Sequence, residues 1–297
     1  MKKNAENNFS SDLVKYSNYE FVQINEETYI KPTEDAEYEI YDPFFVADNI
    51  LVDILNIGRL AINNEFDVCN SKILEFVKNY GLLGELTFLP LNSNIVYQKK
   101  TYLPKGNQFT NKGVVPTEEY LKYFLVADKN KRIGIEVAPN KTIVISNSNE
   151  ATANIILDKG IEYNIVFSKG YSEKLTWFVE YAQNLYIVFD AIENFGKEDN
   201  EYERKMSEVY IKSFVASNIA CKVEMLKEPT LKWDFNSLKL AINTMFLLNE
   251  TTQRKTVKIC KFCGKAFSSQ NLKAEYCSLQ CRNKANVYKS REKNKNQ

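Results

Sequence analysis

Cys260-Lys-Phe-Cys263-Gly264-Lys-Ala-Phe267, followed thirteen residues after Cys263 by Tyr276-Cys277-Ser278-Leu-Gln-Cys281-Arg282-Asn283-Lys284, is the one part of the chain whose residue types and spacing specify a chemistry. Two cysteines separated by two residues can turn both sulfurs toward one point, and a glycine after the second lets the backbone fold over a bound ion. The second pair, spaced by three residues at the expected start of a helix, completes four thiolates around a tetrahedral centre. That donor set suits one Zn2+, with Zn–S distances of about 2.3 Å. Ser278 suits the N-cap, and the first amides of the helix favour the thiolate form of Cys277 and Cys281. Four thiolates and Zn2+ sum to about −2, so Lys261, Lys265 and Arg282 are expected near the sulfurs as compensating cations. Sulfur fills all four positions. That marks a structural site, because a catalytic zinc keeps a position open for water.

Two disulfides or four unrelated thiols are the alternative. Disulfides need an oxidising compartment, and the opening Met1-Lys-Lys-Asn-Ala-Glu-Asn-Asn carries no apolar signal segment. Nor does any apolar run approach the roughly eighteen residues of a membrane span. Reduced thiols, a cytoplasmic location and no membrane partner are therefore expected.

The pattern CxxCGxxF, then YCSxxCR and a basic helix, resembles the treble-clef type of zinc finger. Its wider context is similar to bacterial CGNR-type zinc-finger proteins. The matching positions are Cys260, Cys263, Gly264, Phe267, Tyr276, Cys277, Ser278, Cys281 and Asn283. Arg282 stands where that family's name-giving glycine would be, Lys284 replaces its arginine, and the second cysteine pair is tighter by one residue. Such proteins carry an upstream helical domain, often called ABATE, and are described as stress-related transcription regulators. The segment from Ile73 to Gly84 looks like the region upstream of the finger in ABATE-like proteins. The resemblance thus implies an α+β chain with a mainly helical body, a C-terminal treble-clef finger, and a bacterial or phage transcription-type role.

A chain of 297 residues with 44% hydrophobic and 13% aromatic content can bury a core in one large or two ordinary domains. Its net charge of +1 hides an asymmetry. Residues 251–297 hold twelve Lys and Arg against Glu275 and Glu292, a net of +10, which subtracted from the whole-chain value leaves −9 on residues 1–250. An acidic body carrying a basic tail suits a chain that meets an anionic partner at one end. A solvated basic helix that only keeps the chain soluble is the plainer reading.

Histidine is absent. That excludes a Ser-His-Asp triad, a Cys-His protease pair, an HExxH zinc site and an H-x-E deaminase. No GxxxxGK[ST] loop or GxGxxG turn supports nucleotide binding. Carboxylate chemistry remains open, but Asp and Glu form no tight constellation, and no catalytic residue is nominated.

Along the chain, residues 1–11 are polar and expected to be disordered. Tyr16 to Tyr41 mixes aromatic and charged residues in the manner of short strands. Asp42-Pro43 resembles a helix start, and Phe44 to Ile62 is apolar on much of its circumference, predicting a buried helix. A second helix over 71–80 ends at Gly81, placed like a C′ residue. Residues 85–115 read as a loop with a strand-like piece at Asn94–Gln98, and Thr117 to Val126 as helix. Between about 131 and 168 the period becomes two, which predicts an antiparallel β meander. After Gly170 the reading is helical throughout. Leu175, Phe178, Ala182, Leu185, Phe189 and Ile192 form a core stripe, a helix over about 201–227 buries Met206, Val209, Tyr210 and Ile219, and a last one covers 237–248. Cys69 and Cys221 fall on helix-like segments as small buried hydrophobes. Residues 12–250 are thus the body and 251–297 the finger with its basic helix.

The helix beginning at Ser278 directs Cys281, Ala285 and Tyr288 to the metal and a small core. Arg282, Lys289 and Lys293 align on a second stripe, and Lys284, Arg291 and Lys295 on a third. Lys273, Arg282, Lys284, Lys289, Arg291 and Lys293 are therefore the candidate contacts to the phosphates of DNA or RNA. Six such contacts to a duplex predict a log–log salt slope of roughly −5. Two other classes remain: a protein-interaction module, with a protein partner or homo-oligomer formed through the acidic body, and a carboxylate-based, metal-dependent nuclease.

Overall fold

A computed structural model describes residues 11–84, 100–102, 112–124, 126, 133–138, 141–145, 168–197, 200–214, 220–225, 229–235, 237–253 and 255–295. The chain is α+β, with small antiparallel sheets throughout. It divides into two compact units: Met1–Phe45, Leu74–Phe178 and Ser217–Ala241 in the first, Val46–Ile73, Val179–Ala216 and Ile242–Gln297 in the second.

In the first unit, β1 (Leu13–Tyr16) pairs with β4 (Tyr38–Tyr41), setting Tyr16 opposite Tyr38. Between them β2 (Tyr19–Ile24) and β3 (Glu27–Pro32) form a hairpin. Its two-residue turn, Asn25-Glu26, has positive φ at both positions, the geometry that matches the twist of the flanking strands. Two further hairpin-like pairs join β5 (Lys100–Tyr102) to β6 (Val114–Pro116) and β7 (Ile133–Ala138) to β8 (Lys141–Ile145). Helix α3 (Thr117–Phe124) buries Tyr120 and Phe124, whose rings lie 5.8 Å apart, and Tyr171 packs 4.9 Å from Phe124. Of the expected meander, β7 and β8 are present; its segments after residue 145 and the strand-like Asn94–Gln98 lie outside the described residues.

Residues 1–10 of the expected disordered start also lie outside the described residues. Ser11 departs from that expectation, since it is buried and its hydroxyl donates to the Phe235 carbonyl at 3.2 Å. Asp42 accepts from the Phe44 amide at 3.0 Å and opens a 3-10 turn over Pro43–Val46 that leads into α1 (Ala47–Ile62). Helix α2 (Phe66–Tyr80) begins five residues earlier than periodicity suggests and buries Cys69. It ends as expected at Gly81, whose φ is +88 and whose amide donates to Val77 O at 2.7 Å.

The wholly helical reading after Gly170 is corrected in two places. Glu173–Lys174 is a short strand, β9, paired with β3, and α4 (Leu175–Asn194) starts only after it. Helix α5 stops at Ser213 (Glu201–Ser213), and Ala220–Met225 and Pro229–Asp234 are instead β10 and β11 of a hairpin that includes Cys221. The helical stripe assigned to Met206, Val209 and Tyr210 does not bury: α5 has no buried residue, and Val209 is 58% exposed. Its surface carries the Lys205–Glu201 and Lys212–Glu208 pairs of a solvated helix. The alternation Cys221-Lys-Val-Glu-Met225, set against Leu231-Lys-Trp233, is the period-two pattern that a helix template overrides when read as one long run.

The second unit gathers α1, α5 and most of α4 and of α6 (Leu238–Thr251). Ile50, Leu51, Ile54, Leu55, Ala182, Leu185 and Phe246 are among its buried side chains, and Phe189 meets Phe246 edge to face at 5.8 Å. A Cβ on Gly58 would stand 2.0 Å from the Ala182 carbonyl oxygen, so α1 and α4 touch backbone to backbone and only glycine fits there. Among the described residues, no helix is long and apolar enough to cross a membrane.

Candidate metal centre

Within the second unit, β12 (Val257–Ile259) and β13 (Ala266–Ser268) pair antiparallel, with Lys258 opposite Phe267. The first cysteine pair forms the turn between them. Cys260 N–H donates to Lys265 O at 2.9 Å and Gly264 N–H to Cys260 O at 2.9 Å, with Gly264 at φ +70. The glycine predicted for this turn thus occupies backbone space that side chains rarely adopt. Lys261 N–H then donates to Glu275 O at 3.0 Å and brings in the segment of the second pair. Ser278 caps α7 (Leu279–Lys295), its hydroxyl oxygen accepting from the Cys281 amide at 3.2 Å, and Arg282 N–H donates to Ser278 O at 3.1 Å.

This backbone brings Cys260, Cys263, Cys277 and Cys281 together, their sulfurs all within 4.8 Å of one another. Cys263 and Cys277 sulfurs lie 3.7 Å apart and Cys277 and Cys281 sulfurs 3.6 Å apart. A regular tetrahedron of sulfurs about 2.3 Å from a central ion has edges of about 3.8 Å. The separations fit such an ion and are far from the 2.0 Å or so of a disulfide; all four thiols are free.

Three of the sulfurs differ in how readily they ionise. Burial opposes ionisation of Cys260, but the backbone amides of Cys277, Cys263 and Phe262 outweigh it and hold its thiol down to about 7. Burial, followed by the sulfurs of Cys281, Cys263 and Cys260, pushes Cys277 up to about 12. Burial likewise raises Cys263. The crowding that raises Cys263 and Cys277 would be relieved by a cation among the sulfurs.

The helices hold the hairpin through side chains that sequence reading passes over. Asn56, on α1, donates to Ala266 O at 3.0 Å and accepts from Ala266 N–H at 3.0 Å. Asn249, near the end of α6, donates to Val257 O at 3.1 Å and accepts from the amides of Val257 and Thr256 at 3.0 and 3.2 Å. Each carboxamide stands where a neighbouring strand would. Asp48 accepts from the hydroxyls of Thr256 and Ser268 at 2.9 and 2.7 Å. Tyr186 donates to Gly264 O at 2.8 Å, and Arg59 Cδ lies 3.8 Å from where a Cβ on Gly264 would be. Lys255 pairs with Glu193 and Glu250 and lies over the Phe189 ring. Asn249-Glu-Thr251, just beyond the helix expected over 237–248, is the last turn of α6 and part of this support. A signal for it existed: Asp48, Asn49, Asp53, Asn56 and Arg59 gather on one side of the helix and leave the other side apolar.

The candidate phosphate contacts are distributed unevenly. Arg282, Lys284, Lys289 and Arg291 are exposed along α7; Lys273 is exposed in the turn after β13. Lys293 lies on α7, with its side chain outside the described residues. Lys261, expected beside the thiolates, directs its ammonium to Glu275, whose carboxyl it holds below the usual range, with a weaker pull from Lys289. Ala285 is buried, as expected for the face toward the metal. Tyr288, expected to join it, is 57% exposed and touches Phe262, ring centroids 5.9 Å apart. Comparison with protein-family models, curated proteins and solved structures found no match.

Proposed function

We propose that Cys260, Cys263, Cys277 and Cys281 hold one structural Zn2+ in a treble-clef finger, and that the chain is a nucleic-acid-binding protein acting as a transcription-type regulator. The observation that carries this reading is the position of α7. It begins between two of the four clustered sulfurs and presents Arg282, Lys284, Lys289 and Arg291 to solvent. The ion would supply a cross-link and no reactive position, since sulfur fills the tetrahedron. The protein supplies the rest: Ser278 starts the helix, Asn56 and Asn249 fix the hairpin, and the cations follow a phosphate backbone. The net +10 of residues 251–297 favours the same kind of partner, as does the resemblance to CGNR-type fingers.

Two measurements test it. Metal analysis of the purified full chain is expected to give about one zinc per chain. Labelled DNA and RNA duplexes, titrated at several salt concentrations, are expected to bind with a steep salt dependence. Alanine at Lys284, Lys289 and Arg291 together is expected to weaken that binding with zinc retained; unchanged affinity would refute the proposal. A protein partner is the second reading, favoured by the exposed Leu272, Leu279 and Val287 around the same centre.

A further inference from the structure

Basic side chains account for a grip on phosphate in any nucleic acid, but they do not account for an exposed aromatic ring among them. Lys284, Tyr288 and Arg291 recur along α7 at spacings of four and three, which places them on one stripe of the helix. Lys284 and Arg291 are exposed, Tyr288 is 57% exposed, and Val287 beside them is 49% exposed. The face is a cation, an aromatic ring and a cation in sequence.

Tyr288 is also held in place. Phe262 lies against it at 5.9 Å with the two planes 35° apart, and Phe262 sits in the turn between Cys260 and Cys263. A ring braced by a neighbour that is itself fixed between two of the clustered cysteines loses little freedom when something stacks on it. Aromatic rings interleaved with basic side chains are what a single-stranded nucleic acid requires: phosphates meet the cations, and an unstacked base covers the ring. A duplex offers no such base, because its faces are covered by its own neighbours.

We infer that the Lys284–Tyr288–Arg291 face of α7, backed by Phe262, is a binding surface for single-stranded nucleic acid, with a base stacked on Tyr288. This rests on the nucleic-acid reading above and narrows its substrate class. Metal-loaded full-length protein is titrated with labelled oligothymidylate, oligouridylate and a mixed-sequence duplex of equal length. The single strands are expected to bind more tightly than the duplex at the same salt. Tyr288→Ala is expected to weaken single-strand binding about five- to a hundredfold and to leave duplex binding within about twofold, with metal content unchanged. Tyr288→Phe is expected to retain single-strand binding. Lys284→Ala is expected to flatten the single-strand salt slope by about 0.7, which Tyr288→Ala does not do. Duplex binding that equals or exceeds single-strand binding, or a Tyr288→Ala protein that loses nothing, would overturn this inference and leave the nucleic-acid reading intact. Failure to bind all three probes would overturn both.

Discussion

The two halves of the cysteine segment are held in place by different means. The β12–β13 hairpin is tied to helices at Asn56, Asn249, Asp48 and Tyr186, with hydrogen bonds of 2.7–3.2 Å reaching both strands and the turn. Helix α7 has little of this. Ala285 is buried, but Leu279, Val287 and Tyr288 are exposed, as are Arg282, Lys284, Lys289 and Arg291. A helix that is polar nearly all round has no apolar stripe with which to dock, and packing of such a face is what stabilises most helices in proteins. The hairpin is positioned by hydrogen bonds from the helices, whereas Cys281 in the first turn of α7 and Cys277 just before its cap bring that helix to the other two sulfurs.

The largest expected effect breaks this asymmetry by taking the metal away. Chelation, or Cys277→Ser, should reduce bound metal from about one per chain to none. Amide exchange over Leu279–Arg291 should then approach that of an unfolded peptide, because binding of a structural ion is itself folding energy. Exchange in β12, β13 and α1 should change far less. Equal loss in both halves would show that the helices do not position the hairpin by themselves.

A second effect isolates the cations. The triple alanine variant at Lys284, Lys289 and Arg291 should make the duplex salt slope shallower by roughly 3, at about 0.9 per lost contact. Asn56→Ala probes the other half of the comparison. It strips the Ala266 amide and carbonyl of a shared partner and should cost roughly 1–3 kcal/mol, measured as a lowered thermal midpoint with metal content intact. A variant as stable as the parent would mean that Asn56 does not anchor the hairpin. The smallest effect is at the cap, where Ser278→Ala should lower helix stability by about 1 kcal/mol, confined in amide exchange to the first turn of α7.

What the sequence disclosed about these regions follows from the range over which the physics acts. The cysteine cluster was legible because each pair is spaced by only two or three residues, the turn glycine directly follows Cys263 and the whole pattern lies between Cys260 and Cys281, as were the Ser278 cap and the Gly81 helix end. The core stripe of α4 could also be read, since Phe178, Ala182, Leu185 and Phe189 all bury. The support of the hairpin could not be read in the same way. Asn56 meets Ala266 across 210 positions, and an asparagine in a helix looks the same whether it faces water or a strand. The β10–β11 hairpin was hidden for a different reason: its strands follow α5 without a strong break, and helix periodicity was carried past Ser213. Tyr288 fits a buried stripe by spacing alone, but only the fold shows how small a core that stripe encloses.

The two asparagines have a consequence for the behaviour of the chain outside its folded state. A two-stranded sheet presents two open edges, each a row of amides and carbonyls that can recruit a strand from another molecule. Asn249 occupies that row at Val257 and Asn56 occupies it at Ala266. The helices that anchor the hairpin therefore also shield it from self-association. Losing either carboxamide uncovers an edge, so aggregation during expression is the failure to expect of such variants alongside a lower melting point.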